Sequence, residues 1–68
     1  PNIVNIKGIF FKKAFANSMG KQFLKRTGAD NTGTIVYNEK CYYWFEKAVN
    51  LGDHQAYILL AAMLIEKG

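Results

Sequence analysis

Large apolar residues fall every fourth position at Phe11, Phe15, Met19 and Phe23, flanked by Ile6, Phe10 and Leu24, with lysines largely between them. That spacing predicts an amphipathic helix over about residues 6–26. Gly8 interrupts its start and leaves residues 1–8 open to being a separate extended arm. Residues 27–36, TGADNTGTIV, combine two glycines with Asp30 and Asn31 and read as a loop. A second helix follows over about 38–51. It carries Cys41, Trp44, Phe45, Ala48 and Val49 on one stripe and Glu39, Lys40, Glu46 and Lys47 on its wet side.

Gly52 then stands where a left-handed helix cap belongs, and Asp53 follows as the N-cap of a third helix over 54–67. So short a connection folds the second and third helices back as an antiparallel pair. The third helix, ~21 Å long at 1.5 Å per residue, has ten uninterrupted apolar residues from Ala56 to Ile65. A membrane span needs ~20, so no crossing is expected. A helix apolar all round needs cover on both sides instead.

Composition narrows the class. Sixty-eight residues make one domain at most, and a chain this short hides only ~60% of its unfolded surface. Half the residues are apolar, which excludes a disordered tail. Cys41 is the one cysteine, so no intrachain disulfide forms. With His54 as the only other soft ligand, a structural zinc site, which wants four ligands, is nearly excluded. No metal or cofactor is expected.

Charge is unevenly placed. Residues 1–26 hold Lys7, Lys12, Lys13, Lys21, Lys25 and Arg26 with no acid, a net of +6. Residues 27–68 hold three lysines against five acids, a net of −2, which together give the chain's +4. A basic segment of this kind suits nucleic acid, an anionic membrane or an acidic protein. The apolar residues near the start are broken by Lys7 and Gly8 and lack a preceding basic run, so no secretory signal is visible. The expectation is a soluble protein, with the cytoplasm favoured over other compartments.

Two segments repeat. Leu60-Ala61-x-x-Leu64 falls on Met19-Gly20-x-x-Phe23 at an offset of 41 residues, a large–small–large spacing that lets helix backbones approach closely. Between them lies EKCYYWFEKAVNLGDHQAYILLAAM, with Lys40, Trp44, Phe45, Lys47, Ala48, Gly52, Ala56 and Leu60 as the residues that carry a likeness. This segment resembles the Sel-one-like repeat, a relative of the tetratricopeptide repeat. Cys41 and Val49 stand where that pattern has alanine, Ala61 where it has glycine, and Leu64 where it has tyrosine.

The resemblance implies an all-α fold: antiparallel helix pairs of an α-solenoid, here three helices making one and a half repeats. Met19, Gly20, Phe23, Trp44, Phe45, Ala48, Gly52, Ala56, Leu60 and Ala61 would then be structural repeat positions. A single unit of such an array cannot bury its own apolar faces. Ala56, Leu60 and Leu64 are expected to pack on the preceding pair, while Ile58, Ala62 and Ile65 await a further helix. Ile65-Glu66-Lys67-Gly68 falls where the next loop would begin, so further repeats or another chain are expected to cover that strip.

Candidate chemistry is sparse. Tyr42, Tyr43, Trp44 and Phe45 point in four directions on a helix, so they cannot stack a strand of bases together. Trp44 and Phe45 are expected in the core with one tyrosine exposed. His54 has no partner constellation, and Cys41 reads as a buried, inert thiol. Gly28 and Gly33 lack the lysine and preceding strand of a phosphate loop. The expected function is therefore non-enzymatic: a scaffold or adaptor that binds another protein, possibly acidic, or a second copy of itself. Lys13, Lys21, Ile58, Ala62 and Ile65 are the candidate partner-binding residues. Nucleic acid or an anionic surface bound through the basic first helix ranks second, and an inhibitor of a toxin or enzyme third.

Overall fold

The structure, a computed structural model, describes residues 3–67, with side chains from Lys7 onward. Its three helices are α1 (Ile3–Phe23), α2 (Glu39–Asn50) and α3 (His54–Lys67). Among the described residues there is no strand beyond a single antiparallel bridge between Arg26 and Ile35.

α1 is displaced from its expected limits at both ends. It is already helical at Ile3, so the part of the suggested arm within the description, residues 3–8, is helix; Pro1 and Asn2 lie outside the described residues. Gly8 does not break it. At the other end α1 stops at Phe23 rather than near residue 26. Leu24 N–H turns back to the Lys21 carbonyl, and Val36 N–H then bonds the Lys25 carbonyl. The backbone of residues 25–27 thus pairs across to 34–36 instead of continuing the helix.

The loop that follows is tied internally. Thr27 N–H bonds the Thr34 carbonyl at 2.9 Å, and Gly33 N–H bonds the Thr27 carbonyl at 2.8 Å. Arg26 N–H reaches Asn31 Oδ1 at 2.8 Å. Gly28 and Asn31 take the left-handed turn positions, with φ of 95° and 61°.

Asn38 closes the loop and starts α2. Its Oδ1 accepts the Lys40 and Cys41 amides at 2.9 and 3.2 Å, and its Nδ2 reaches the Phe23 carbonyl at 3.4 Å. One side chain therefore caps α2 and ties it to the end of α1.

The turn into α3 follows its local signals. Gly52 has φ 95°, Gly52 N–H bonds the Val49 carbonyl and Asp53 N–H the Ala48 carbonyl. Those two bonds form a Schellman cap. Asp53 Oδ1 then accepts the Ala56 amide at 3.2 Å, and Oδ2 accepts Asn17 Nδ2 from α1 at 2.8 Å.

The packing is sequential: α1 on α2, and α2 on α3. The α1–α2 register is antiparallel, since Phe23 meets Asn38, Gly20 meets Cys41 and Phe45, and Phe15 meets Trp44. Counting back from Gly20, α1 has ~26 Å of helix, whereas α2 has ~15 Å from Cys41 to Leu51. The first turns of α1 therefore overhang the end of α2, and the long axis reaches 46 Å.

The core consists of Ala16, Ile35, Cys41, Phe45, Ala48, Ala56 and Met63. It differs from the sequence pattern in three places. On α1 the four-residue spacing drifts around the helix, because 3.6 rather than four residues make a turn. Phe11 and Phe15 end up exposed, and the small residues Ala16 and Gly20 take the seam. On α2, Cys41, Phe45 and Ala48 are buried, but Trp44 is only half-buried. On α3, Met63 is buried and Leu64 exposed, while Ala62 is half-buried against the core rather than part of an open strip. Ile35 of the loop and Ala62 border one hollow, a juxtaposition that helix periodicity alone does not reveal.

Candidate functional site

Two surfaces hold apolar side chains that the core does not claim. The first is a groove of about 550 Å³ along the α1–α2 seam. Ala16 lies at its base, and Phe11 with Leu51 marks the end nearest the α1 overhang. Phe15 meets Trp44 edge-on, ring centres 5.6 Å apart and planes at 85°. Tyr43 meets the same indole at 5.2 Å and 81°. Such edge-to-face contacts are favourable and hold the rings in place. Phe11, by contrast, is 74% exposed.

Each wall of the groove carries a cation, Lys12 on α1 and Lys47 on α2. Lys47 Nζ lies 5.1 Å from the centre of the Tyr43 ring, a cation–π placement. Among the described residues no Asp or Glu lines the groove. The nearby acid of α2, Glu46, is engaged with Tyr42, whose phenol its negative charge holds above the ordinary value.

The second surface is the outer side of α3. Tyr57, Ile58 and Ile65 are 61%, 66% and 76% exposed, and Leu64 adjoins them. Residues 57, 58, 61, 64 and 65 lie within about a third of the helix circumference at 100° per residue, so they form one face. Ile65 and Ala62 also border a shallow hollow against Arg26, Thr34 and Ile35 of the loop.

The candidate lysines are not gathered into a patch. Lys13 lies over the Phe10 ring at 4.4 Å, and Lys21 donates to Gln55 Oε1 on α3 at 2.9 Å. Arg26 Nη1 donates to the Gly33 carbonyl. Amides of the glycine loop are also bonded within it: Thr34 N–H bonds Thr27 Oγ1, and Asn31 N–H bonds the Gly28 carbonyl. Those donors do not turn outward to cradle a phosphate.

Cys41 is fully buried and its thiol donates to the Gly20 carbonyl at 3.3 Å. Burial pushes that thiol up to about 11, so it is a poor nucleophile at neutral pH. His54 is exposed at the first turn of α3. Among the described residues no three His, Cys, Asp or Glu side chains gather to hold a metal ion, and no helix is long and apolar enough to cross a membrane.

The groove residues Phe11, Lys12, Phe15, Tyr43 and Lys47 were not singled out as a site by the sequence pattern. One signal does point to them. The chain has ten aromatic residues, yet Phe45 alone among them is fully buried. A core built on small residues leaves the remaining rings to the seams and the surface.

Comparison with protein-family models, curated proteins and solved structures finds no match for the chain.

Proposed function

We propose that this chain is a non-enzymatic protein-interaction module of Sel-one-like, solenoid type, whose helices stack against further helices. The observation that carries this reading is the open face of α3. At the repeat offset of 41 residues, Tyr57, Ala61 and Leu64 correspond to Ala16, Gly20 and Phe23 of α1. On α1 those three positions lie under α2: Ala16 and Gly20 are buried, and Phe23 sits beneath Lys40 Nζ at 5.4 Å. On α3, among the described residues, the corresponding face has no helix over it. Monomeric proteins rarely leave large contiguous apolar patches bare, and a repeat unit buries its faces on its neighbours.

The occupant this reading calls for is a helix with an α2-like apolar stripe, supplied by another repeat, a partner protein or a second copy. Tyr57 and Ala61 are larger than Ala16 and Gly20, so such a helix sits further out than α2 does on α1. A twofold contact between copies is the simplest version for the chain alone.

Sedimentation over a range of concentrations tests this. The unsubstituted chain is expected to self-associate. Ile58→Lys combined with Ile65→Lys is expected to give a monomer of unchanged helix content, because both side chains are outside the core. A clean monomer at high concentration counts against the reading.

A further inference from the structure

We propose that the aromatic groove between α1 and α2 is a docking site for an acidic segment of a partner protein, apolar at its centre and carrying Asp or Glu on either side. The proposal deepens the interaction-module reading and rests on it, but it concerns a different surface from the open face of α3.

Apolar chemistry sets the centre of the ligand. Phe11, Phe15 and Tyr43 are each more than half exposed, and all three surround the half-buried Trp44. Aromatic side chains grouped in a concave site are what anchors of a bound segment bury against. The apolar surface continues onto the α1 overhang at Ile9, which is exposed and lies two helical turns before Ala16 on the same side of α1.

Charge sets its flanks. Lys12 and Lys47 stand on opposite walls, with no lining acid to neutralise them. The wider field has the same sign, since residues 1–26 carry six cations and no acid. A segment with carboxylates on both sides of its apolar anchors meets a cation on each wall, and the field of α1 favours its approach.

Ring geometry argues against a nucleic-acid strand in the same place. Phe15 and Tyr43 both stand nearly perpendicular to the Trp44 plane. Successive bases need roughly parallel ring faces to stack on, and these rings offer one another edges. A peptide side chain has no such requirement.

Trp44 is the single tryptophan, so its emission reports directly on the groove. Short randomised peptides displayed on phage would be selected against the whole chain and, in parallel, against Lys12→Glu/Lys47→Glu and Phe11→Ser. Circular dichroism would verify that each variant is folded; Phe11 lies outside the core and both lysine side chains are exposed. The unsubstituted chain is expected to enrich peptides with Leu or aromatic residues flanked by Asp or Glu, and the selected peptide to shift Trp44 emission. Phe11→Ser should bind that peptide about tenfold more weakly, and the charge-reversed variant should enrich basic peptides instead. No enrichment, enrichment of basic peptides by the unsubstituted chain, or binding that leaves Trp44 emission unchanged overturns the proposal. So does tighter binding of an oligothymidylate than of the selected peptide. The Ile58/Ile65 substitutions leave this site untouched, so failure of the peptide selection and failure of the α3 association test are distinguishable.

Discussion

Gly20 on α1 lies directly against the ring of Phe45 on α2. A Cβ built on Gly20 would come within 3.0 Å of the ring's Cγ, Cδ1 and Cε1 atoms. The same glycine offers its carbonyl to the Cys41 thiol one turn away on α2. The α1–α2 seam is set by this contact, because the absence of one side chain lets a full phenyl ring reach the α1 backbone. Phe45 is fully buried as a result.

Gly20→Ala is expected to destabilise the fold and Gly20→Leu to cost ~1–3 kcal/mol through overpacking. Helix propensity alone predicts the opposite sign for Gly20→Ala, since alanine in mid-helix is favoured over glycine by ~0.8–1 kcal/mol. Gly8→Ala is the control. Among the described residues nothing lies within 4 Å of a Cβ there, so it should stabilise by up to ~1 kcal/mol. Urea unfolding of the variants measures the two signs; stabilisation by Gly20→Ala would refute the close contact.

The turn between α2 and α3 separates backbone strain from capping. Gly52 has φ 95° and open space around its Cα, so Gly52→Ala should cost ~1–2 kcal/mol from the left-handed conformation alone. Asp53→Ala removes the acceptor for the Ala56 amide and for Asn17 Nδ2 and should cost ~0.5–2 kcal/mol. A double-mutant cycle of Asn17→Ala with Asp53→Ala is expected to show coupling, since the two side chains bond directly. Purely additive losses would remove that bond from the account.

The buried thiol predicts a loss of stability at alkaline pH. Burial raises Cys41 from its ordinary 9.0 to about 11. Below 9.0 both folded and unfolded thiols are neutral and the stability contribution is intact. Between 9.0 and 11 the unfolded thiol ionises while the folded one keeps its proton, so stability falls as pH rises. The size of that fall is on the order of 2–3 kcal/mol. Cys41→Ala should lack this component, which separates it from lysine titration over the same range. Alkylation of the native chain by iodoacetamide at neutral pH should be far slower than that of the unfolded chain.

Random DNA and RNA are expected to bind weakly even at low salt, because Lys13, Lys21 and Arg26 are turned to Phe10, Gln55 and the Gly33 carbonyl. Fluorescence anisotropy across a salt series measures this. A steep salt dependence, with slope about −0.9 per phosphate contacted on duplex DNA, would restore the basic helix as a nucleic-acid surface.

Local chemistry accounts for what was legible in the sequence. Gly52 and Asp53 act on amides and carbonyls a few residues away, so their roles as left-handed turn and cap follow from type and position; Asn38, placed by the pattern inside the second helix, is instead its cap. The existence of three helices, the extent of α3, and Cys41, Phe45 and Ala48 as the inner face of α2 were equally readable, since α2 alternates polar and apolar residues with a clear helical period. The large–small–large spacing at Met19-Gly20-x-x-Phe23 likewise marked Gly20 as a place where helices come close.

Tertiary packing decided the rest. α1 and α3 are apolar on several sides, so periodicity cannot choose which residues face inward. The choice fell on Ala16 and Gly20 because only small residues admit Phe45 and bring α2 close, and that left Phe11 and Phe15 to form a groove with Trp44. On α3 the packing on α2 buries Ala56 and Met63 and sets Ala62 against the core, which leaves Tyr57, Ile58, Leu64 and Ile65 outside. Lys12 and Lys47 are 35 residues apart in the chain, and their place on opposite walls of one groove exists only once α1 and α2 pack antiparallel.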